Sequence, residues 1–487
     1  MMRKSLLILL FIGSLLFAAE FRDGHLYLEV NLATGSSLSI ESSSMKISDE
    51  TELFQENLHG KLDIALPSSE QENRYGIIDR IEKACTDNPN DAVQREYFAW
   101  EDGYLVLKKE CVYYRPESFS TIARAKKYAE ALGIFSQRIQ LIPIVNATIS
   151  FKDAKRKTYY FESPLKILSD QIWIDGLRYE GEFILKVVED RLVLNQIIPL
   201  EEYIAGVIPN EIGNYSPAEA LKAQAVAART HAVNLLLYNR HTKDGYDLCN
   251  RTHCQVYKGK YQRNVAIESA VMYTAAEILT TLDRVADATY HSCCGGKTDS
   301  SQAIWKGSYI PHLSGSTCIP EADRYDLSTE AGAANWLNIK PQTNGMSTWE
   351  SGTLHWERRL SSKTLAKSLG LSRIHSIEIL ERGRSGRILK LRIKGNKEII
   401  LSGEYKIRQA FEALPSSFFY FEGAAGRPII YPPATIVIIG RGSGHGVGMC
   451  QVGALRMARN GSEYADILEL YYPKTVISTD WIENDEF

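Results

Sequence analysis

Residues 198–234 read IPLEEYIAGVIPNEIGNYSPAEALKAQAVAARTHAVN, and this stretch guides the interpretation of the whole chain. Ser216, Pro217 and Glu219 form the pattern of a helix start, with serine as N-cap, proline at N1 and glutamate completing a capping box. Apolar and mostly small residues then recur at helical spacing, at Leu221, Ala225, Ala228 and Ala232. The stretch therefore predicts a helix with one face that packs closely on a neighbour.

One carboxylate, Glu211, precedes this helix in a segment bounded by proline and glycine, which predicts a short turn. A rigid helix with a glutamate at its entrance can hold an acid in a fixed position. A general acid must be protonated near neutral pH, and we expect apolar neighbours to raise its pKa by desolvation, at Val207, Ile208, Ile212 and Tyr215. A turn glutamate is most often a solvated charge, so its role depends on the other motifs.

The composition of this 487-residue chain is that of a globular protein, with 44% hydrophobic and 24% charged residues. Its length predicts two or three domains. The formal net charge is -3 and the sequence has no basic stripe, so we expect no nucleic-acid partner.

The N-terminus has the pattern of an export signal. Arg3 and Lys4 precede an apolar run over residues 6–17, which is shorter than a membrane span and is followed by Ala18 and Ala19. We predict a signal peptide over residues 1–19, cleaved near Ala19, and an exported protein of the periplasm or cell envelope. Retention of this segment as an uncleaved anchor is the alternative.

The eight cysteines are interpreted in the light of this export, because an even number of cysteines in an oxidising compartment favours disulfides. Cys85 and Cys111 form one plausible local pair, and either Cys293 or Cys294 could pair with Cys318. The sequence does not determine the connectivity.

Residues near the middle of the chain form a candidate zinc site. His241, Cys249 and Cys254, with His253 beside them, offer imidazole and thiolate ligands, although their spacing is not that of a standard zinc ribbon. The alternatives for the two cysteines are a disulfide or buried free thiols.

The predicted fold class is α+β, because strands and helices do not alternate regularly enough for a doubly wound sheet. Residues 20–165 are interpreted as a separate strand-rich region of unknown role. Within that region, a helix over residues 119–133 between strand-like runs at 104–107 and 138–144 predicts a small β-α-β module near residues 100–150.

The main domain is predicted over residues 166–480. Strands at residues 171–174, 181–188 and 191–196 lead directly into the stretch quoted above. Residues 321–351 are polar and rich in glycine, serine and threonine, so we interpret them as an insertion.

Two further motifs carry candidate chemistry. Residues 440–449 read GRGSGHGVGM; in an extended chain their glycines would share one bare face that admits a ligand or another element, with His445 on the opposite side. This stretch does not contain the G-x-G-x-x-G pattern of dinucleotide-binding loops. Residues 288–298, ATYHSCCGGKT, supply hydroxyls, an imidazole and a Gly-Gly turn shortly before Trp305.

In this order, four segments resemble the SpoIID/LytB family: residues 200–232, 249–259, 290–305 and 440–475. The resemblance extends over roughly residues 171–477, which is more than half of the chain. It implies an exported lytic transglycosylase that cleaves the MurNAc-GlcNAc bond of peptide-free, or denuded, glycan strands. The products would carry 1,6-anhydro-MurNAc ends, formed during cell-wall remodelling or division.

The resemblance also assigns roles to individual residues. The family's catalytic acid falls on Glu211 in the segment VIPNEI, where many members have methionine in place of Ile212. The reaction itself needs no cofactor. Some members hold a zinc ion with one histidine and two cysteines, which fall here on His241, Cys249 and Cys254.

We expect the other motif residues to bind glycan in a groove, with the glycine face lying along the sugar chain. Aromatic surfaces for the pyranose rings are expected at Trp305, Tyr471 and Tyr472. Hydrogen bonds to hydroxyl and N-acetyl groups are expected from Ser292, Thr298, His445 and Gln451. Gln224 and Arg229 are expected to fix the turn before the helix or to line the groove.

The expected partners are peptidoglycan glycan strands and an amidase that strips their stem peptides. The alternative function is a non-catalytic, glycan-binding activator of an N-acetylmuramoyl-L-alanine amidase. The presence of Glu211 favours the enzyme.

Overall fold

The computed structural model describes residues 20–22, 25–49, 55–66, 75–81, 92–101, 104–119, 139–143, 149–153, 158–161, 163–259, 264–282, 284–424 and 426–482. The chain divides into unit 1, which comprises Met1–Gly206 and Tyr238–Gln262, and unit 2, which comprises Val207–Leu237 and Arg263–Phe487. The predicted signal peptide and Cys85 lie outside the described residues. In the part of the chain that the structure describes, no helix has both the length and the apolar character needed to cross a membrane.

Unit 1 is built from β-strands. They are β1 Glu20–Arg22, β2 His25–Gly35, β3 Ser37–Asp49, β4 Gln55–Ala65, β5 Tyr75–Ile81, β6 Ala92–Glu101, β7 Tyr104–Phe119, β8 Ile139–Pro143, β9 Ile149–Lys152, β10 Thr158–Phe161, β11 Leu165–Ile174, β12 Leu177–Val188, β13 Arg191–Pro199 and β14 Leu248–Cys249. The three strands predicted from residues 171–196 are confirmed as β11, β12 and β13, and β11 alternates buried and exposed residues as a half-buried strand should.

The main sheet of unit 1 joins strands β1 to β4 to strands β11 to β13, which directly precede residue 200. Its described strands follow the order β1-β2-β13-β12-β11-β3-β4-β9-β10 with antiparallel neighbours, and β14 adds in parallel to β2. Ile47 of β3 lies opposite Ile167 of β11, and Ala33 of β2 lies opposite Leu194 of β13. The boundary predicted near residue 165 therefore falls inside one sheet. Strand pairing over such distances is set by tertiary packing, which local patterns do not encode.

A second sheet of unit 1 has the order β6-β7-β5-β8 among the described strands. Both β7 and β8 pair antiparallel with β5, so they run parallel to each other as the flanking strands of a β-α-β module would. Strand β7 extends to Phe119, where the predicted helix was expected to begin. The rest of that helix lies outside the described residues, so the module stays a prediction.

Two consecutive helices carry the quoted stretch. Helix α1 covers Leu200–Glu211 and helix α2 covers Ala218–Leu237, and the division between the units falls within α1. The predicted turn around Glu211 is wrong, because α1 continues through Pro209 and Glu211 is its last residue. A proline loses one backbone hydrogen bond, and here it does so only two residues from the helix end.

The predicted capping box is also wrong. The Ser216 hydroxyl donates to the Ile212 carbonyl at 2.8 Å instead of accepting from the helix. The Glu219 carboxylate binds Lys222 at 2.8 Å and accepts the backbone N–H of Tyr464 at 2.9 Å. Glu219 thus supports the start of a helix far along the chain, so its role remains structural.

Unit 2 mixes short strands and helices. Its strands are β15 Ile278–Thr281, β16 Arg284–Val285, β17 Tyr290–His291, β18 Trp356–Ser361, β19 Ile374–Arg382, β20 Ile388–Gly395, β21 Glu398–Ser402, β22 Phe419–Phe421, β23 Ile429–Ile430, β24 Thr435–Gly440, β25 Met449–Cys450 and β26 Val476–Ser478. Its further helices are α3 Val265–Tyr273, α4 Ser301–Trp305, α5 Glu330–Asn338, α6 Thr348–Leu354, α7 Ser362–Ser368, α8 Glu404–Ala410, α9 Gln451–Arg459 and α10 Tyr464–Tyr471. Short 3-10 helices of unit 2 occur at Pro311–Leu313, Pro320–Arg324 and Asp480–Ile482, and unit 1 has one at Thr242–Asp244. The α+β class is confirmed.

Helix α2 lies at the centre of one hydrophobic core of unit 2. Ala223, Val226 and Ala227 pack there with residues of β25, α9 and α10. A second core gathers the strands and helices between Trp356 and Ile438. The residues of the predicted small face, Leu221, Ala225, Ala228 and Ala232, are fully buried, so the close packing predicted for this face is confirmed.

The region interpreted as an insertion has an ordered interior. Trp336 and Leu337 of α5 are buried in a cluster with Phe418 and Tyr420. The indole of Trp336 donates a hydrogen bond of 2.8 Å to the carbonyl of Gly295, within the Gly-Gly turn of the segment 288–298. This region therefore supports a motif-bearing segment.

Candidate active site

The two C-terminal motifs of unit 2 are joined through their backbones. Strand β17 pairs in parallel with β25, so that Tyr290 lies opposite Met449. Cys293 and Ser443 exchange two backbone hydrogen bonds of 3.0 and 2.9 Å. The N–H of Val452 donates to the Ser292 carbonyl at 3.0 Å. Residues 290–293 and 443–452 thus form one continuous scaffold.

The glycine-rich stretch does not provide the expected bare face for a sugar chain. Gly446 and Gly448 have φ angles of 83° and 66°, so this segment is a loop of left-handed turns and not an extended strand. A Cβ at Gly446 would overlap the Arg387 guanidinium, and one at Gly448 would overlap the Thr289 carbonyl. The glycines therefore admit other parts of the protein, and the predicted glycan contact along this face is wrong.

Arg387 fills the space that Gly446 leaves. The guanidinium of this buried side chain donates to the carbonyls of Cys294 and Cys293, at 3.0 and 3.4 Å. Arg387 was not predictable from the sequence, because nothing near position 387 indicates a contact with residues about 90 positions earlier.

Glu211, the candidate acid, lies beside the first residue of α9. The Gln451 side chain donates from Nε2 to Oε2 of Glu211 at 3.4 Å and to Oε1 of Gln224 at 3.2 Å. Gln224 and Gln451 are buried, whereas Glu211 is only partly buried. The structure thus brings together the acid, the long helix and the C-terminal motif.

The apolar surroundings of Glu211 are those predicted, with one exception. Val207, Ile208 and Ile212 are buried, as expected. Tyr215 is 99% exposed and provides no desolvation. It lies in the connection between α1 and α2, outside the apolar face of either helix.

His445 is a neutral imidazole with a defined tautomer. The N–H of Val447 donates to its Nδ1 at 3.2 Å, so Nε2 carries the proton and donates to the Tyr290 carbonyl at 2.9 Å. Burial lowers the pKa of His445 to about 4. The Trp305 ring lies 5.2 Å from the imidazole, measured between ring centroids, and Trp305 is 47% exposed.

Several residues expected to bind substrate are interior residues instead. Thr298 is buried, and its hydroxyl accepts from the N–H of Ser316 at 2.7 Å. Arg229 is fully buried and donates to the Glu277 carbonyl at 2.9 Å. Tyr471 and Tyr472 are buried at the end of α10, where their hydroxyls contact Cys318 at 3.0 Å and the Thr289 carbonyl at 2.8 Å. Aromatic rings near a helix end pack inward when their face is the apolar one.

His231, on the same helix as Gln224, contacts Asp287, and neither residue was predicted from the sequence. His231 lies seven residues after Gln224, on the same side of α2, and its Nδ1 is 3.7 Å from Oδ1 of Asp287. Burial acts to raise the pKa of Asp287, but the contact with His231 outweighs it and lowers that pKa. The seven-residue spacing from Gln224 was the sequence feature that could have indicated His231. No sequence feature indicated Asp287.

Unit 1 holds the side chains of the predicted zinc site, here called the unit 1 cluster: His241, Cys249, His253 and Cys254. Their ligand atoms lie within 4.8 Å of one another. His241 Nε2 is 3.3 Å from the Cys254 sulfur, and the His253 Nδ1 is 3.9 Å from the Cys249 sulfur. The structure thus adds His253 to the three predicted residues.

The donor set of the unit 1 cluster fits zinc. Two thiolates and two imidazoles are a common set for a four-coordinate structural zinc ion. His241 also places Nδ1 2.9 Å from the Asp244 carboxylate, the outer contact that orients metal-binding histidines. The hydrogen bond from Cys254 lowers the pKa of Cys249, which favours the Cys249 thiolate, and the same contact raises the pKa of Cys254.

The predicted disulfides are not formed among the described cysteines. Both thiols of the unit 1 cluster are free, as are Cys293, Cys294, Cys318 and Cys450. The predicted pairing of Cys293 or Cys294 with Cys318 is therefore wrong, and that of Cys85 with Cys111 falls partly outside the described residues.

A known protein family and individual proteins are similar to the chain over the regions that contain Glu211 and the unit 1 cluster. Residues 189–281 match the family model described as SpoIID, Stage II sporulation protein, and residues 299–448 match a domain of unknown function. An uncharacterised protein of Brachyspira hyodysenteriae is 33% identical over 303 residues, which are 62% of this chain and 73% of that protein.

Two relatives from bacilli carry descriptive names. The stage II sporulation protein D of Bacillus amyloliquefaciens is 30% identical over 295 residues, which are 58% of this chain and 74% of that protein. The amidase enhancer of Bacillus subtilis is 29% identical over 339 residues, which are 64% of this chain and 45% of the enhancer. The first family model includes Glu211 and the unit 1 cluster, whereas Gln451 lies beyond both models.

Proposed function

This chain belongs to the SpoIID family, and from that premise we propose that it is a lytic transglycosylase that cleaves the MurNAc-GlcNAc bond of peptide-free glycan strands. Its family membership and its similarity to an amidase enhancer support a role at the cell wall. The proposal includes action in the periplasm or cell envelope, during wall remodelling or division.

One observation carries the proposal: the hydrogen bond between Gln451 and Glu211. It joins the acid at the end of α1 to the C-terminal motif, although the two residues are 240 positions apart. A glutamate at a helix end is most often a solvated charge, whereas Glu211 contacts the buried amide of Gln451. Gln224 accepts from the same Gln451 amide and so fixes its orientation toward the carboxylate.

A lytic transglycosylase needs one well-placed carboxylic acid, whereas most hydrolytic glycosidases use two carboxyl groups. Protonated Glu211 gives its proton to the oxygen between MurNAc and GlcNAc as that bond breaks. The resulting carboxylate takes the proton of the C6 hydroxyl while this oxygen bonds to C1. The product is a 1,6-anhydro-MurNAc end and no water is consumed. The Gln451 N–H stabilises the carboxylate form by its hydrogen bond to Oε2.

Other residues of unit 2 would bind the glycan. Trp305 is 47% exposed and Tyr309 is 54% exposed, so their rings offer surfaces on which pyranose rings stack. Ser292 and His445 are both partly buried, in the two motifs that β17 and β25 join. His445 stays neutral because its pKa lies at about 4, so it serves as a positioning group and not as a second acid.

We also propose that the unit 1 cluster holds a structural zinc ion through Cys249, Cys254, His241 and His253. Bound zinc would cross-link this segment of the chain. All four ligands of a tetrahedral site come from protein in this assignment, and such closed sites stabilise structure. No step of the glycan cleavage uses the metal.

The test is a comparison of the full chain with Glu211→Gln on purified glycan strands freed of stem peptides. Products are identified by mass spectrometry. We expect anhydro-MurNAc ends from the natural sequence and a loss of at least about 100-fold in rate for Glu211→Gln, because general acid catalysis is worth that much or more. Glu469→Gln is the matched control, since Glu469 is an exposed glutamate of α10 in the same unit.

Other outcomes distinguish the alternatives. Reducing ends would identify a hydrolase, and equal rates for Glu211→Gln and the control would remove Glu211 from catalysis. Intact strands that still bind, together with faster cleavage by an added N-acetylmuramoyl-L-alanine amidase, would identify an amidase activator. The similarity to an amidase enhancer is the observation that favours this second function.

A further inference from the structure

Unit 2 contains a second group of sulfur atoms, here called the unit 2 cluster: Cys294, Cys318 and Cys450. Their three sulfur atoms lie within 4.8 Å of one another, and each side chain is at most 3% exposed. Cys294 lies in the segment of residues 288–298, and Cys318 lies shortly before the 3-10 helix Pro320–Arg324. Cys450 is the last residue of β25. Three distant segments thus direct thiols to one point in the core.

Backbone N–H groups point at two of these sulfurs. The N–H groups of Cys294 and Gly453 donate to the Cys450 sulfur at 3.2 and 3.3 Å. The N–H of Gly296 donates to the Cys294 sulfur at 3.3 Å. Hydrogen bonds from amides stabilise the thiolate form more than the thiol form, and thiolates are the form that binds metal ions.

The three sulfurs lie within 4.8 Å of one another, so small side-chain movements would bring all three to one metal ion. Zinc–sulfur bonds of about 2.3 Å at tetrahedral angles place two sulfur ligands roughly 3.8 Å apart. A Cβ at Gly453 would overlap the Cys318 sulfur and the Tyr471 hydroxyl, so this glycine keeps the space between α9 and Cys318 open. A disulfide would use two of the three sulfurs and leave the third without a partner.

We infer that Cys294, Cys318 and Cys450 form a second zinc site, in addition to the one proposed for the unit 1 cluster. Binding releases one proton from each thiol and leaves a net charge of −1 on zinc with three thiolates. Arg456 donates to the Cys318 carbonyl and supplies a positive charge at this edge. The fourth ligand comes from one of two neighbours: the Cys293 thiol, which contacts Cys450, or the Tyr471 hydroxyl, 3.0 Å from the Cys318 sulfur.

A cavity gives an ion a route to this site. It has a volume of about 590 Å³, and all three cysteines of the cluster lie in its wall. Arg324, Arg441 and Arg456 also line it. These cations favour an anionic thiolate cluster at the base of the cavity.

The experiment measures zinc per chain by inductively coupled plasma mass spectrometry after purification without chelators. The central variant is Cys249→Ser with Cys254→Ser, which removes the thiolates of the unit 1 cluster and leaves unit 2 unchanged. We expect about one zinc ion per chain in this variant. Cys318→Ser, measured in parallel, should lose one zinc ion relative to the natural sequence.

Two results would overturn the inference. One is a Cys249→Ser, Cys254→Ser variant without zinc; the other is unchanged zinc content in Cys318→Ser. Peptide mapping without reduction provides a second readout on the natural sequence, because a disulfide between any two of the three cysteines would exclude a trithiolate site. Neither measurement depends on glycan cleavage, so the proposed function and this site fail or succeed separately.

Discussion

The unit 1 cluster and the unit 2 cluster use the same kind of sulfur ligand but are built in different ways. The unit 1 cluster takes all its side chains from residues 241–254, and His253 is exposed. The unit 2 cluster joins Cys294 to Cys450 across 156 positions of sequence, and its three cysteines are buried in a hydrophobic core. One cluster belongs to a local segment, and the other belongs to the core of its unit.

Because of this difference, the two clusters should be disrupted by different kinds of substitution. Ligands of a local segment need little of the surrounding fold, so metal binding there depends on the side chains and their immediate neighbours. Ligands in a core are held by tertiary packing, so a packing defect should disturb the unit 2 cluster and the stability of its unit together.

The largest effect is expected from Gly453→Ala. The added methyl group would overlap the Tyr471 hydroxyl and the Cys318 sulfur, so α9 has to shift in the core. We expect a loss of about 3 kcal/mol in the free energy of unfolding, the upper part of the range for overpacking. Urea unfolding of the full chain measures this loss.

Gly352→Ala is the matched control for that substitution. Gly352 also lies in a helix, α6, but a Cβ there would meet no atom within 4 Å. Alanine should stabilise this helix by up to about 1 kcal/mol. Equal effects of the two substitutions would show that the contact with the unit 2 cluster is unimportant.

The second prediction concerns acid. Burial lowers the pKa of His445 in unit 2 to about 4, so its stabilising contribution is complete above the unfolded pKa near 6.5 and is lost as the pH falls to 4. Burial raises the pKa of Asp247 in unit 1 to about 6, so its contribution is complete below 3.8 and is lost as the pH rises to 6. Each effect amounts to at most about 3 kcal/mol.

Acid should therefore weaken unit 2 relative to unit 1. Hydrogen exchange followed by mass spectrometry reads the two units separately, at pH values corrected for the intrinsic exchange rate. His445→Asn should reduce the acid sensitivity of peptides from unit 2, and Asp247→Asn should reduce the opposite trend in unit 1. Identical dependence of hydrogen exchange on pH in the two units between pH 4 and 7 would contradict the opposite roles given to His445 and Asp247.

The same contrast explains what the sequence could predict. Residues of the unit 1 cluster lie close together in sequence, so three of its four side chains were singled out as candidate zinc ligands from residue type and family resemblance. The strands β11, β12 and β13 were predicted for the same reason, since each is recognised from residues within one short segment. The α+β class and the role of α2 as a packed helix also follow from patterns within one segment.

Features that depend on distant segments were not predictable. No local pattern indicates that Arg387 fills the space beside Gly446, or that β3 pairs with β11. The tyrosines at 471 and 472 illustrate the same limit, because the sequence shows two aromatic residues but not which side of α10 faces the core. The contact between Glu211 and Gln451 was not predicted either, because the sequence indicated Gln451 as a glycan-binding residue and Glu211 as an acid but not that the two meet.

The smallest effect is expected from Asp244→Ala, which tests whether the unit 1 cluster binds zinc as a local unit. The Asp244 carboxylate accepts a hydrogen bond from Nδ1 of His241 at 2.9 Å and so orients this imidazole. The Asp244 side chain is 47% exposed. Removal of such an outer contact typically reduces metal affinity 10-fold to 100-fold, and we expect about 10-fold here because water can replace an exposed carboxylate. Competition with a chromophoric chelator measures the zinc affinity.

Asp170→Ala, at an exposed position of β11, is the control and should leave the zinc affinity unchanged. Zinc in the unit 2 cluster should be retained in both variants, because no atom of Asp244 contributes to that core. An equal loss of both zinc ions in Asp244→Ala would mean that the two clusters do not act independently.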